Sequence, residues 1–68
     1  MADREFLSTE DVAELLGIPA ATVRYWRHTG QGPRGFRVGR AVRYRRTDVD
    51  RWIEEREREE RLNASSAT

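Results

Sequence analysis

The sequence predicts a small, mostly helical domain carrying one β-hairpin. Three observations predict it. Two short apolar stripes at helical spacing, Val12-Leu15-Leu16 and Ala20-Val23-Trp26, are separated by Gly17 and Pro19. Two runs that alternate apolar and basic residues, Phe36-Arg37-Val38 and Val42-Arg43-Tyr44, flank Gly39-Arg40-Ala41. A third helical stripe, Val49-Trp52-Ile53, follows them. A repeat of 3.6 residues marks helices and a repeat of two marks strands, so the order is helix, helix, hairpin, helix. Sixty-eight residues suffice for one domain, near the lower limit for independent folding.

Residues 1–6 read as a short lead-in. Ser8 is a favourable N-cap, and Asp11 three residues later completes a capping-box variant, so the first helix is expected over Thr9 to Leu16. Glu10 and Asp11 also suit the positive end of the helix dipole. Gly17 ends the helix. Pro19 forces Ile18 toward an extended conformation and opens a second helix, expected over Ala20 to His28 and ended by Gly30. Val23, Trp26 and Ala20 share the face turned to the first helix. Ala21, Arg24, Tyr25 and His28 point the other way. No Ser, Thr, Asp or Asn caps this second helix, which leaves its first N–H groups to water or to a phosphate.

Residues 29–35 contain three glycines and Pro33 and read as loop. With Gly39-Arg40-Ala41 as the turn, Phe36, Val38, Val42 and Tyr44 would lie on the helices. Arg37 and Arg43 would face outward, with Arg40 at the tip. Thr47 to Asp50 repeats the T-x-x-D capping pattern and opens a third helix. Beyond Ile53 the sequence EEREREER is polar on every side, with Glu54–Arg58 and Glu57–Arg61 as i,i+4 pairs. This helix is expected to reach Leu62. The reading is one domain over residues 1–62 and a disordered tail over 63–68.

The net charge of +1 is a cancellation. Arg24 to Arg46 contains eight arginines and no acid, whereas the rest of the chain carries five arginines and twelve acids. Such separation gives one face an anionic partner. All the basic residues are arginine. GC-rich coding or a need for bidentate contacts to phosphate and guanine would each account for that. There is no cysteine, so neither a disulfide nor a thiolate metal site is available, and one histidine, His28, builds no metal cluster. No metal or cofactor is expected. No apolar run approaches a membrane span and the start lacks a signal-peptide core, so the expected location is the cytoplasm, on the nucleoid.

Helix, turn, helix, arginine-bearing hairpin, helix is the order of a winged helix-turn-helix. The segment LSTEDVAELLGIPAATVRYW resembles the opening of the MerR-like superfamily. GFRVGRAVRYRRTDVDRWI resembles the wing and following helix of its small excisionase and AlpA-like members. The resemblance runs from about Phe6 to Ile53. Pro19-Ala20 departs from it, standing where the family often has a Ser or Thr cap. It implies a single-domain protein without the coiled coil, effector domain or metal sensing of the MerR activators. It further implies a recombination directionality factor, which binds and bends attachment-site DNA, self-associates there and assists a phage-type integrase in excision. A small MerR-like transcriptional regulator would use the same surface.

The candidate DNA-contacting residues are Ala21, Thr22, Arg24, Tyr25, Arg27, His28, Arg37, Arg40, Arg43 and Arg45. Arg24 is placed to reach base edges in the major groove, while Tyr25 and Arg27 reach phosphate. Ala21 touches a thymine methyl or permits close approach. His28 reaches phosphate or stands in solvent at a helix end. Arg40, helped by Arg37 and Arg43, suits a minor groove. Arg45 and Arg46 contact DNA or partner the nearby acids. Trp26 and Trp52 sit at core spacing rather than on a stacking platform for single strands. The carboxylates sit at helix starts or in the charged last helix, and no nucleophile–base pair or phosphate loop is present, so no enzymatic activity is expected. An adaptor that docks a protein on its acidic–basic last helix is the reading from another class.

Overall fold

Ser8 closes a strand and caps a helix at once. In the computed structural model, which describes residues 4–66, β1 (Phe6–Ser8) runs directly into α1 (Thr9–Leu16). The Asp11 N–H donates to Ser8 Oγ at 3.0 Å, and the Ser8 N–H donates to Asp11 Oδ2 at 3.0 Å. This reciprocal pair is the expected capping box. The backbone hydrogen bond from Ser8 holds the Asp11 carboxyl below the ordinary aspartate range. The Ser8 hydroxyl and the Arg4 guanidinium, 3.2 Å away, add to the effect, and partial desolvation opposes it. A carboxyl depressed in the fold contributes stability that is fully present above its unfolded value and is lost as pH falls through the folded value. Thermal melts between pH 7 and pH 2 should therefore show an acid-side loss that is smaller in Asp11→Asn.

α1 ends in a Schellman arrangement, with the Gly17 N–H on the Glu14 carbonyl at 3.2 Å and the Ile18 N–H on the Ala13 carbonyl at 3.0 Å. α2 (Ala20–Thr29) begins at Pro19 with no side-chain cap and closes at Gly30. Both helices match their expected spans to within one residue.

The sheet departs from expectation in two ways. First, it has three antiparallel strands rather than two, in the order β1-β3-β2, with β2 at Gly35–Val38 and β3 at Ala41–Arg45. Phe6 belongs to a strand, not to a lead-in, and pairs with Arg45 across from it. Residues 1–3 of that lead-in lie outside the described residues. Second, the turn has two residues, Gly39 and Arg40, because Val38 pairs directly with Ala41. Gly39 has φ +64° and no non-glycine residue has positive φ among the described residues. That sign pattern fits a type II′ turn, whose first central position favours glycine. A turn one residue shorter than expected inverts β2 relative to β3. Leu7, Tyr44, Gly35, Val42 and Arg37 thus share the face toward the helices, and Phe6, Arg45, Arg43, Phe36 and Val38 share the outer face. The expected grouping of Phe36 and Val38 with Val42 and Tyr44 is overturned. So is the pairing of Arg37 with Arg43.

The outer face keeps an apolar patch in solvent. Phe6, Phe36 and Val38 are exposed. The two phenylalanine rings meet edge to face at 5.9 Å, and the Arg45 guanidinium lies 4.9 Å from the centre of the Phe6 ring. Such cation–π contacts at exposed sites contribute about 0.5–1 kcal/mol.

α3 (Arg46–Ser66) follows β3 with no linker. Its first N–H donates to the Glu5 carbonyl at 2.8 Å. Thr47 therefore lies inside the helix and is not its cap, contrary to the T-x-x-D reading. Arg46 Nε bonds Asp50 Oδ1 at 3.2 Å within the first turn. The helix passes the expected end at Leu62 to reach Ser66. Arg56 pairs there with Glu59 at 2.8 Å and Glu60 at 3.7 Å, in place of the Glu54–Arg58 and Glu57–Arg61 pairs. Residues 67 and 68 of the expected tail lie outside the described residues.

The core is Leu7, Val12, Ala13, Val23, Tyr44 and Val49, with Leu16, Ile18, Ala20, Val42 and Ile53 packed on it. Every element supplies at least one of these side chains except β2, which supplies a glycine. A Cβ at Gly35 would stand 2.7 Å from Tyr44 Cε2, so the buried ring packs on bare backbone there. Trp26 does not join the cluster toward α1. Its ring meets Trp52 of α3 at 5.3 Å, tilted by 48°. Gly32, at φ +75°, lies where a Cβ would come within 2.6 Å of the Trp26 ring.

Candidate nucleic-acid interface

Arg24, Arg27 and His28 lie at i, i+3 and i+4 on α2 and point along one side of that helix. β2 brings Arg37 to the same side and the turn brings Arg40. Together with Thr9 of α1 and Val42 of β3 they line one open cleft of about 540 Å³. Five of the ten residues singled out from the sequence are thereby assembled in one place. Arg37 is among them because of the inverted parity of β2, not because it faces outward.

Two of the cleft's arginines are hydrogen-bonded. Arg27 Nη1 donates to the Gly35 carbonyl at 3.4 Å, which links α2 to the base of the wing. Arg24 Nη2 donates to Glu10 Oε2 at 3.0 Å. Among the described residues the side chains of Arg37, Arg40 and His28 have no hydrogen-bonded or ionic partner. Cations crowded around a cleft with one carboxylate among them carry an uncompensated positive potential, which draws an anion of extended, repeating charge.

Ala21 and Tyr25 are exposed on the outer part of α2, and Thr22 is half-buried with its N–H on the Pro19 carbonyl at 3.0 Å. Arg43 and Arg45 lie on the opposite face of the sheet from the cleft. Arg43 Nη1 folds back to the Val42 carbonyl at 2.8 Å, and Arg45 Nη1 binds Glu5 Oε2 at 3.0 Å. The sequence reading missed Thr9 and Glu10 as members of this site. Glu10 carried only the helix-dipole reading, and no sequence signal ties the start of one helix to the middle of the next.

Among the described residues no group of three or more His, Cys, Asp or Glu side chains could hold a metal ion. No helix among them is long and apolar enough to cross a membrane.

Two helices joined by a tight turn, a wing, and a basic cleft between wing and second helix define a winged helix-turn-helix, a class of DNA-binding domain. The family described as the helix-turn-helix domain matches residues 6–57, and the chain belongs to it. No curated protein matches the chain.

Proposed function

We propose that the chain binds double-stranded DNA in its α2–wing cleft and serves as an excisionase-like recombination directionality factor, with no chemistry of its own. The convergence of Arg24, Arg27, His28, Arg37 and Arg40 on one cleft carries the DNA-binding part. α2 enters the major groove with Arg24 toward base edges and Tyr25 and Arg27 toward phosphates, and Ala21 and Thr22 come close enough to touch the groove wall. Arg40 reaches into the neighbouring minor groove, where a narrow A·T-rich tract concentrates negative potential. Arg43 and Arg45, on the outer face of the sheet, add to the positive field of the wing without entering the cleft. The excision role is supported by the resemblance of Leu7 to Trp26 and Gly35 to Ile53 to excisionase and AlpA-like sequences, and by a family that includes such proteins. Several copies bind side by side, and α3 beyond Ile53, where every side chain from Glu54 to Ala64 is exposed, offers a surface to a neighbouring copy or an integrase.

Two measurements test this. DNase footprinting across attachment-site DNA should give discrete protected repeats, and adding the chain to the cognate integrase should raise excision over integration. Protection confined to a promoter, with no effect on recombination, would make the protein a transcriptional regulator. For the wing, Arg40→Ala should weaken binding most at A·T-flanked sites. It should also lower the slope of log affinity against log salt by about 0.9 for each phosphate that the side chain had neutralised. Unchanged binding on both flanks at every salt would leave α2 as the whole DNA surface.

A further inference from the structure

We infer that Glu10 is a positioning residue that sets sequence preference by holding Arg24 for a base edge; this rests on the DNA-binding reading above. Among the described residues, Arg24 alone of the cleft's arginines is joined to a carboxylate, Glu10 Oε2, at 3.0 Å. Glu10 is fixed at its base by the first turn of α1, beside the Ser8–Asp11 capping box. Arg24 comes from α2, so the pair spans the two helices of the motif.

The pairing divides labour among the cations. A guanidinium has five N–H groups in a planar fork, and Glu10 takes one on Nη2. The others remain for an acceptor. Phosphate is a poor choice for that acceptor, because it would have to approach the Glu10 carboxylate. The O6 and N7 atoms of guanine are uncharged and accept two parallel N–H bonds from arginine. Arg24 with Glu10 is thus a neutral pair suited to a neutral base edge, whereas Arg27, Arg37 and Arg40 are bare cations suited to the backbone. Holding the guanidinium before DNA arrives also reduces the rotamer freedom given up on binding. In water this exposed pair adds little to folding stability, so its consequence falls on recognition.

Competition binding on the footprinted site and on random duplex tests the inference, using the full chain, Glu10→Ala, Glu10→Gln, Arg24→Ala and the double variant Glu10→Ala/Arg24→Ala. Circular dichroism confirms that each folds. Glu10→Ala and Glu10→Gln should bind random duplex more tightly and lose about tenfold in preference for the site, the size of one base-edge contact. Their salt slope should steepen by about 0.9, as Arg24 turns to a phosphate. In the Arg24→Ala background the Glu10 change should leave the preference where Arg24→Ala put it. An undiminished preference in Glu10→Ala overturns the inference. So does an equal gain in affinity with and without Arg24, which would make Glu10 a plain repulsive charge. Failure of the parent chain to bind any duplex would instead overturn the DNA-binding reading itself.

Discussion

Tyr44→Ala should leave the chain largely unfolded at room temperature. Tyr44 is 2 % exposed and is the largest fully buried residue among those described. It stands on the central strand, with Leu7 on one side and Gly35 on the other. Truncating a buried aromatic to alanine costs about 3–5 kcal/mol, against a total stability of roughly 5 kcal/mol for a domain near the lower size limit. The same ring makes a second change informative. Gly35→Ala puts a methyl 2.7 Å from Tyr44 Cε2 and 3.0 Å from Cζ, so ring or backbone must shift. Overpacking of this kind costs about 1–3 kcal/mol. Tyr44→Leu removes the clashing ring edge. Gly35→Ala should then be nearly neutral in the Tyr44→Leu background, a non-additivity read from thermal melts of the two single variants and the double. Strict additivity would show that ring and glycine are not coupled.

Arg37→Glu should weaken site binding by more than tenfold while Arg43→Glu reduces it only modestly. The two arginines sit at the centres of adjoining strands and look equivalent in the sequence. The Val38–Ala41 pairing sends Arg37 into the cleft with Arg24, Arg27, His28 and Arg40, and sends Arg43 to the outer face. Removing a charge-assisted bond to phosphate costs about 1.5–3 kcal/mol, and a carboxylate in its place adds repulsion, so the loss should exceed tenfold. Arg43→Glu should change affinity by a few-fold through net charge. Comparable losses from both would mean that the two faces of the wing contact DNA alike.

That contrast also marks where the sequence stops being legible. Caps act over three or four residues, so Ser8, Asp11, Gly17 and Gly30 delimit α1 and α2 from local spacing alone. The arginine-bearing hairpin was visible from its alternation. Its parity was not, because Gly39-Arg40-Ala41 serves a two-residue turn as readily as a three-residue one, and one residue decides which face Arg37 takes. β1 was hidden because three residues are too few for alternation to register, and its partner lies far along the chain. Thr47 and Asp50 mimic a cap, but the first N–H of α3 is satisfied by the Glu5 carbonyl. Trp26 and Trp52 each carried a core signal, though spacing within one helix cannot say which other helix will meet it. At the site, Arg24 and His28 were placed by helix spacing and Arg40 by the turn, while Arg27 was named as a phosphate contact by its charge. Thr9 and Glu10 came into view only once α1 and α2 were docked.

The clasp between the first strand and the central one has a consequence for the order of folding. Glu5 and Arg45, joined at 3.0 Å, are 40 residues apart in the chain. The β2–β3 hairpin closes over a turn of two residues and can form within microseconds of its synthesis. The clasp must instead close a loop many times longer, at a greater entropic cost. During synthesis the first strand therefore waits for the last one. Until β3 has emerged, α1 and α2 have no sheet to rest on and Leu7 has no place to bury. The whole domain should thus condense in one event that awaits β3, and a chain truncated before Arg45 should remain open to protease.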